Sequence, residues 1–241
     1  MRDLTYFYYT IEELEALKSS DKTLAQAIEK IGKIKREVDN DIVASVIHHI
    51  IAQQISSKAQ ASIWARFCSE FGSETARKNP QTKRAKSSPN TQNIKSILSV
   101  ESIANASVDT IRACGISARK AEYIIDFAHK VQSGEFDIGR VEKMSDKEAI
   151  EELAKLRGIG VWTAEMILLF CLQRRDIFSY DDLAIQRGLK LLYGINGAGK
   201  SGKISKVVFA KYRAKFSPHC SLASLYLWEI ARSEERRVGR V

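Results

Sequence analysis

Two adjacent carboxylates, Asp181 and Asp182, stand at the head of the segment DDLAIQRGL, and one helix earlier the chain turns through Arg157-Gly158-Ile159-Gly160. A carboxylate fixed beside a reacting carbon can stabilise positive charge in a transition state and can orient an attacking water. A Gly-x-Gly turn that opens a helix can offer backbone N–H groups to a phosphate, and the helix dipole adds to the attraction. Without a Cβ at either glycine, that backbone can come close to its ligand. Each feature alone has a plainer reading. A lone Gly-x-Gly is commonly a helix corner closed by glycine, and aspartates at a helix start are commonly caps. The succession of the two, with Trp162 and Thr163 directly after the turn, is what makes them informative.

The elements that must position these groups lie between Leu153 and Leu192. An amphipathic helix leads in, begun by the capping-box pattern Ser145 to Glu148, and breaks at the glycines. A strongly apolar helix runs from Val161 to about Leu172, and after a short linker the aspartates open another helix. This arrangement closely resembles the helix-hairpin-helix, Gly/Pro-rich loop and aspartate (HhH-GPD) signature of DNA glycosylases. The wording GIGVWTA followed by DLAIQRGL is most similar to the 3-methyladenine DNA glycosylase II branch. The resemblance extends to YFxYxxxELxxLKxxDxxLxxAI at the start of the chain, to IRACGISARKAEYI, and to the closing SLASLYLWEIAR. It implies an all-α, two-lobed fold with a DNA cleft between the lobes. Residues 1–40 and 195–232 would form one lobe and 41–194 the other, with the hairpin at about 153–172.

The 241 residues are 44% hydrophobic, enough for one sizeable core or two small lobes, and the net charge of +9 favours a polyanionic partner. Cys68, Cys114, Cys171 and Cys220 lie far apart, with no CxxC pair and none of the close spacing that an iron–sulfur cluster needs. They read as buried free thiols in a reducing cytosol. The start MRDLTYFYYT is too short and polar for a secretory segment, and no apolar run reaches membrane-spanning length. The expectation is a soluble, monomeric, cytoplasmic protein associated with the nucleoid.

Helical signals continue along the rest of the chain, with no sustained strand alternation. Thr10 caps a helix to about Lys18, and Asp21 caps a second that Gly32 ends. DIVASVIHHIIAQQ, residues 41–54, is the most apolar early helix, and Ser56 or Ser57 can cap the next. His48 and His49 inside the first read as core or surface histidines rather than ligands. Gln53 and Gln54 at the corner can either cap backbone groups or enter a minor groove and fill the gap left by an extruded base. Here AQQIS resembles the family's DNA-probing loop, which favours DNA contact by Gln53, Gln54, Ile55 and Ser56. Residues 72–93 are polar, basic and proline-bearing, and read as a flexible basic insertion longer than the corresponding family connection. Arg119 and Lys120, at the start of the helix ARKAEYIIDFAHKVQ, read as a solvated first turn or as phosphate contacts. GAGKS, near residue 200, lacks the first glycine and preceding strand of a P-loop, which excludes nucleotide hydrolysis. The tail, residues 233–241, has no apolar face to bury and is expected to be frayed or disordered.

Excising a damaged base requires its extrusion from the stack, and breaking C1′–N then develops oxocarbenium character on the sugar. The resemblance aligns Asp182 with the family's catalytic aspartate and leaves Asp181 as N-cap or neighbour. Bifunctional relatives carry a lysine after GIGV for a Schiff base; this chain has Trp162, which implies a monofunctional glycosylase without lyase activity. An indole face suits the positive charge of purines alkylated at N3 or N7, such as 3-methyladenine and 7-methylguanine, although Trp162 as core filler is an alternative. Tyr180, Met166, Phe178 and Trp228 are further candidates for the base pocket. Arg157, Gly158, Ile159, Gly160 and Thr163 are the candidate phosphate contacts on double-stranded DNA. No cofactor is implied, apart from a structural Na or K ion that relatives hold through hairpin carbonyls, here those of Ala154, Leu156 and Ile159. Cys220 and His219 stand where many relatives carry arginine and tyrosine. Rival readings are a glycosylase for deaminated or mismatched bases and a non-catalytic DNA-binding protein.

Overall fold

The computed structural model describes residues 5–73, 97–197 and 202–238, with the backbone alone for 234–238. Among these residues the chain is helical, with isolated extended bridges between Tyr6 and Glu37 and between Gly72 and Leu98. It divides into two compact units, one of residues 1–37 and 173–241, the other of residues 38–172.

The first unit holds α1 (Ile11–Ser20), α2 (Lys22–Ile31), α11 (Leu183–Tyr193), α12 (Lys206–Phe216) and α13 (Cys220–Val238). Thr10 and Glu13 form a reciprocal capping box on α1, and Asp21 accepts from the Leu24 amide to begin α2. α11 packs along α13, and Gly188 permits the close approach: a Cβ there would lie 2.4 Å from the Leu227 carbonyl oxygen. Phe178, Phe209 and Phe216 stack and tilt against one another in the core of this unit.

The second unit holds α3 (Ile42–Ala52), α4 (Ser57–Phe71), α5 (Val100–Ala104), α6 (Val108–Ala113), α7 (Ala118–Ser133), α8 (Ile138–Lys143), α9 (Asp146–Leu153) and α10 (Val161–Phe170). α3 is apolar almost all round and is accordingly central, packed on α4, α7 and α10. α10 is nearly as apolar, with Ala164, Met166, Ile167, Leu168 and Leu169 buried. Asp41 caps α3 through one carboxylate oxygen and accepts from the Ile97 amide through the other.

Three boundaries differ from the sequence reading. The division between units falls after Leu172 rather than at residue 194, because α11 packs on α13 and α2 and so belongs with the terminal helices. The first boundary falls after Glu37 rather than at residue 40. Where a frayed tail was expected from residue 233, α13 continues to Val238; a polar helix end needs no buried face when it extends an already packed helix. The basic insertion lies almost wholly outside the described residues, as does GAGKS except for its first glycine; at the insertion's near end the Ser73 amide donates to the Ile97 carbonyl and the Ser99 amide to the Phe71 carbonyl, which pairs Gly72 with Leu98.

Candidate active site

In the first unit the site is built around Asp182. It is the N-cap of α11, with its own backbone extended and its carboxylate turned back on the helix start. One oxygen, Oδ1, accepts from the amides of Ala184 at 2.9 Å and Ile185 at 2.8 Å, and from the Trp228 indole Nε1 at 3.0 Å. Three donors on one oxygen fix the plane of the carboxyl group, and the residue is only 6% exposed. The sequence reading left Asp181 as N-cap or neighbour; the structure makes Asp182 the cap, and Asp181 is its exposed neighbour, paired with Lys203 at 2.8 Å. The cap and the candidate catalytic group are therefore the same side chain.

The turn before Asp182 is held by Gln186, which is buried within α11. Its amide donates to the Tyr180 carbonyl and its oxygen accepts from the Ile204 amide, both at 2.8 Å. Tyr180 donates its hydroxyl to the Ile204 carbonyl, and Lys203 and Lys206 lie 5.5 and 5.8 Å from its ring centre. Leu183, directly after the aspartate, is an exposed apolar side chain. Phe178 instead belongs to the aromatic core of this unit. Trp228 is half-buried; its N–H orients Asp182, and the Arg36 guanidinium sits 6.0 Å from its ring centre. Cys220 is fully buried at the start of α13, and Arg213 reaches it, 3.0 Å from Sγ and also paired with Asp176. Burial pushes the Cys220 thiol far above its ordinary range.

In the second unit α9 ends at Leu153, the chain turns through Ala154 to Gly160, and α10 begins with Gly160 as N-cap. The two glycines act differently. Gly158 has φ +86°, and a Cβ there would strike the Tyr123 ring at 2.6 Å. Gly160 faces open space, so its missing Cβ leaves the helix start uncovered. No side chain caps α10, and the amides of a first turn have no acceptor within their own helix. The Arg157 guanidinium lies 4.9 Å from the centre of the Tyr123 ring, to whose hydroxyl Arg119 donates. Trp162 is 43% exposed at the start of α10, which removes the alternative of plain core filler. Thr163 and Met166 are buried in the packing of α10. Ile159 and Leu156 are also buried, and the Leu156 carbonyl accepts from the Ile159 amide at 3.0 Å. A carbonyl oxygen has a second lone pair, so Leu156 can close this turn and still face a monovalent cation beside Ala154 and Ile159.

The α3–α4 corner belongs to the same unit. Gln53 ends α3 and donates Nε2 to the Gly158 carbonyl at 2.6 Å, tying the corner to the hairpin. Gln54 is exposed and adopts a left-handed backbone, φ +57°. Ile55 is half-buried, and Ser56 caps α4 through the Ala59 amide. His48 bonds Gln60 and packs on Trp64; burial and the neighbouring His49 pull its pKa down to about 4, so it is neutral near pH 7. Lys120 corrects the expectation of a solvated first turn. Its ammonium donates to the carbonyls of Ile51 at 2.9 Å and Gln53 at 2.6 Å, and burial lowers its pKa. Nothing in the local sequence signals this, because the acceptors are backbone atoms of a distant helix end. The four cysteines are free thiols, and among the described residues no cluster of His, Cys, Asp or Glu could hold a metal ion and no helix is long and apolar enough to cross a membrane.

Comparison with known proteins places this geometry in context. Residues 47–211 match the model of the HhH-GPD superfamily of base excision DNA repair proteins. The DNA-3-methyladenine glycosylase 1 of Schizosaccharomyces pombe is 30% identical over 78% of this chain and 71% of its own length. Matches to two Bacillus subtilis relatives, 33% and 31% identical, cover only 43% and 41% of those proteins. Among solved structures, a DNA-3-methyladenine glycosidase from Bacillus halodurans superposes with a TM-score of 0.73 at 30% identity, covering 96% of this chain and 93% of that one. The S. pombe 3-methyladenine DNA glycosylase Mag1, in complex with abasic DNA, superposes with a TM-score of 0.68 at 26% identity, covering 90% and 95%.

Proposed function

Because this chain belongs to the HhH-GPD superfamily of base excision DNA repair proteins, we propose that it is a DNA-3-methyladenine glycosylase. In this reading it hydrolyses the N-glycosidic bond of alkylated purines, 3-methyladenine and 7-methylguanine, extruded from double-stranded DNA. The observation that carries the reading is Asp182, a buried carboxylate oriented by two amides and an indole N–H, which the sequence resemblance aligns with the family's catalytic aspartate.

The proposed chemistry follows from what these side chains are. The uncovered first turn of α10 and Arg157 hold a phosphate without reading sequence. Gln54 enters the stack as the damaged base leaves it, at an extrusion cost of a few kcal/mol that damage lowers. As C1′–N stretches, Asp182 stabilises the oxocarbenium charge and orients the water that attacks C1′; the electron pair of the broken bond leaves with the base. An N3- or N7-alkylated purine is already cationic and departs as a neutral base, so no strong general acid is needed. The exposed face of Trp162 favours that cation before cleavage. With an indole in place of an amine after the hairpin, no Schiff base forms and the strand is left intact. The enzyme works as a monomer on chromosomal DNA in the cytoplasm and needs no organic cofactor. A Na or K ion held by the carbonyls of Ala154, Leu156 and Ile159 would brace the hairpin.

The test is a methylated duplex incubated with the protein and then divided. Alkali after incubation should cut at the new abasic sites, whereas the untreated half should remain intact and borohydride should trap no adduct. Alkali-independent nicking or a trapped adduct overturns the monofunctional mechanism; no alkali-sensitive site overturns the glycosylase reading.

A further inference from the structure

A lysine at a DNA-binding surface ordinarily contacts phosphate, yet the Lys120 ammonium reaches back to the end of α3 and donates to the carbonyls of Ile51 and Gln53. Those oxygens lie at the C-terminal end of α3, where carbonyls lack helical partners and the helix dipole is negative. One residue further on, Gln54 holds a left-handed backbone that a side chain other than glycine rarely adopts. The Gln53 side chain is fastened independently to the Gly158 carbonyl of the hairpin. Gln54 is thus exposed at the tip of a corner whose preceding residue is gripped from both sides, main chain by Lys120 and side chain by the hairpin. Backbone strain of this kind persists only where the surroundings over-determine it.

We propose that Lys120 is a positioning residue for DNA opening: its ammonium locks the end of α3 so that Gln54 is presented, in its left-handed conformation, to the gap in the base stack. This rests on the glycosylase reading above and adds to it the device that keeps the probe rigid before DNA arrives. Lys120 touches neither the damaged base nor, in this role, a phosphate. The two roles separate by salt. Removing a phosphate contact lowers the slope of log affinity against log salt by about one, whereas removing an internal brace leaves the slope unchanged.

The experiment compares wild type, Lys120→Met, Lys120→Arg and Gln54→Ala on a duplex with 2-aminopurine beside a stable abasic analogue. At saturating protein, wild type should raise the fluorescence by unstacking the reporter. Lys120→Met should lose most of that rise, as Gln54→Ala does, with no further loss in the double variant and an unchanged salt slope. Its excision rate should fall about tenfold or more, since small misplacements of a positioning group carry penalties of that order. Lys120→Arg, which can still donate to both carbonyls, should retain the rise. A Lys120→Met protein that matches wild type in fluorescence, or whose salt slope drops by about one, overturns the proposal. If Lys120→Met fails to fold, Lys120→Gln, with a shorter neutral donor, carries the same comparison. A wild-type protein that binds the duplex without unstacking it overturns the opening mechanism itself, an outcome distinct from failure of the lysine alone.

Discussion

Asp182 carries two loads, and substitutions at this position separate them. Asp182→Asn removes the charge but keeps a good N-cap, since asparagine and aspartate rank together at that position. The Oδ1 acceptor for Ala184, Ile185 and Trp228 is retained, so stability should change by only a few tenths of a kcal/mol. The chemical loss is far larger. A unit charge at about 4 Å from a developing positive charge, with an effective dielectric of about 20, contributes about 4 kcal/mol. That corresponds to about a thousandfold in rate. Asp182→Ala should lose the same catalysis and also leave two amides and an indole N–H without their acceptor. Losing the cap and those bonds should cost about 2 to 4 kcal/mol, or about 4 to 16 °C in Tm. The assay is single-turnover release of 3-methyladenine from methylated duplex, with thermal melting of the same preparations. An Asp182→Asn protein within about threefold of wild type, whatever Asp182→Ala does to Tm, would show that the aspartate is only a helix cap.

Other outcomes follow from the same geometry. Trp228→Phe keeps the ring packing but deletes the N–H that orients Asp182, and should slow single-turnover excision roughly tenfold while leaving affinity for abasic duplex unchanged. Gly158→Ala meets both the positive φ and the Tyr123 ring; it should lower Tm by several degrees and weaken duplex binding about tenfold, as melting and a binding titration would read. Burial, with the nearby Asp41 charge, pushes the Asp39 carboxyl up to about 6 from 3.8. The folded state then holds this proton more tightly than the unfolded chain, so its contribution is complete below about pH 4 and is lost as the pH rises through 6. Asp39→Asn should therefore stabilise the protein by up to about 3 kcal/mol at pH 8 and change little at pH 4, measured by melts at the two values.

Much of this site was legible because its signals are local. Thr10, Asp21, Ser56 and Ser145 announce their helices through capping chemistry that acts within three residues, and each makes the backbone bond that its type and position imply. The hairpin glycines are legible for the same reason, since a turn must be closed where it occurs. What escaped the sequence depends on contacts between distant segments. The role of Trp228 beside Asp182, of Gln186 between Tyr180 and Ile204, and of Lys120 on the end of α3 follows from packing that no local pattern encodes. The unit boundary was misplaced for a related reason: the break after Leu172 is a short polar linker like several others, and only the packing of α11 on α13 shows which side that helix joins. Burial is likewise invisible to local pattern: Phe178, Thr163 and Met166 are buried while Trp162 is exposed, a difference set by what each packs against.

The most direct measurement is mass spectrometry of the free bases released when the wild-type protein acts on duplex DNA carrying alkylated, deaminated and mismatched bases together. The expected product is 3-methyladenine, with 7-methylguanine beside it and no release of uracil, hypoxanthine or mismatched bases. Release of a deaminated or mismatched base in preference to the methylated purines, or of no base at all from DNA that the protein demonstrably binds, would contradict it.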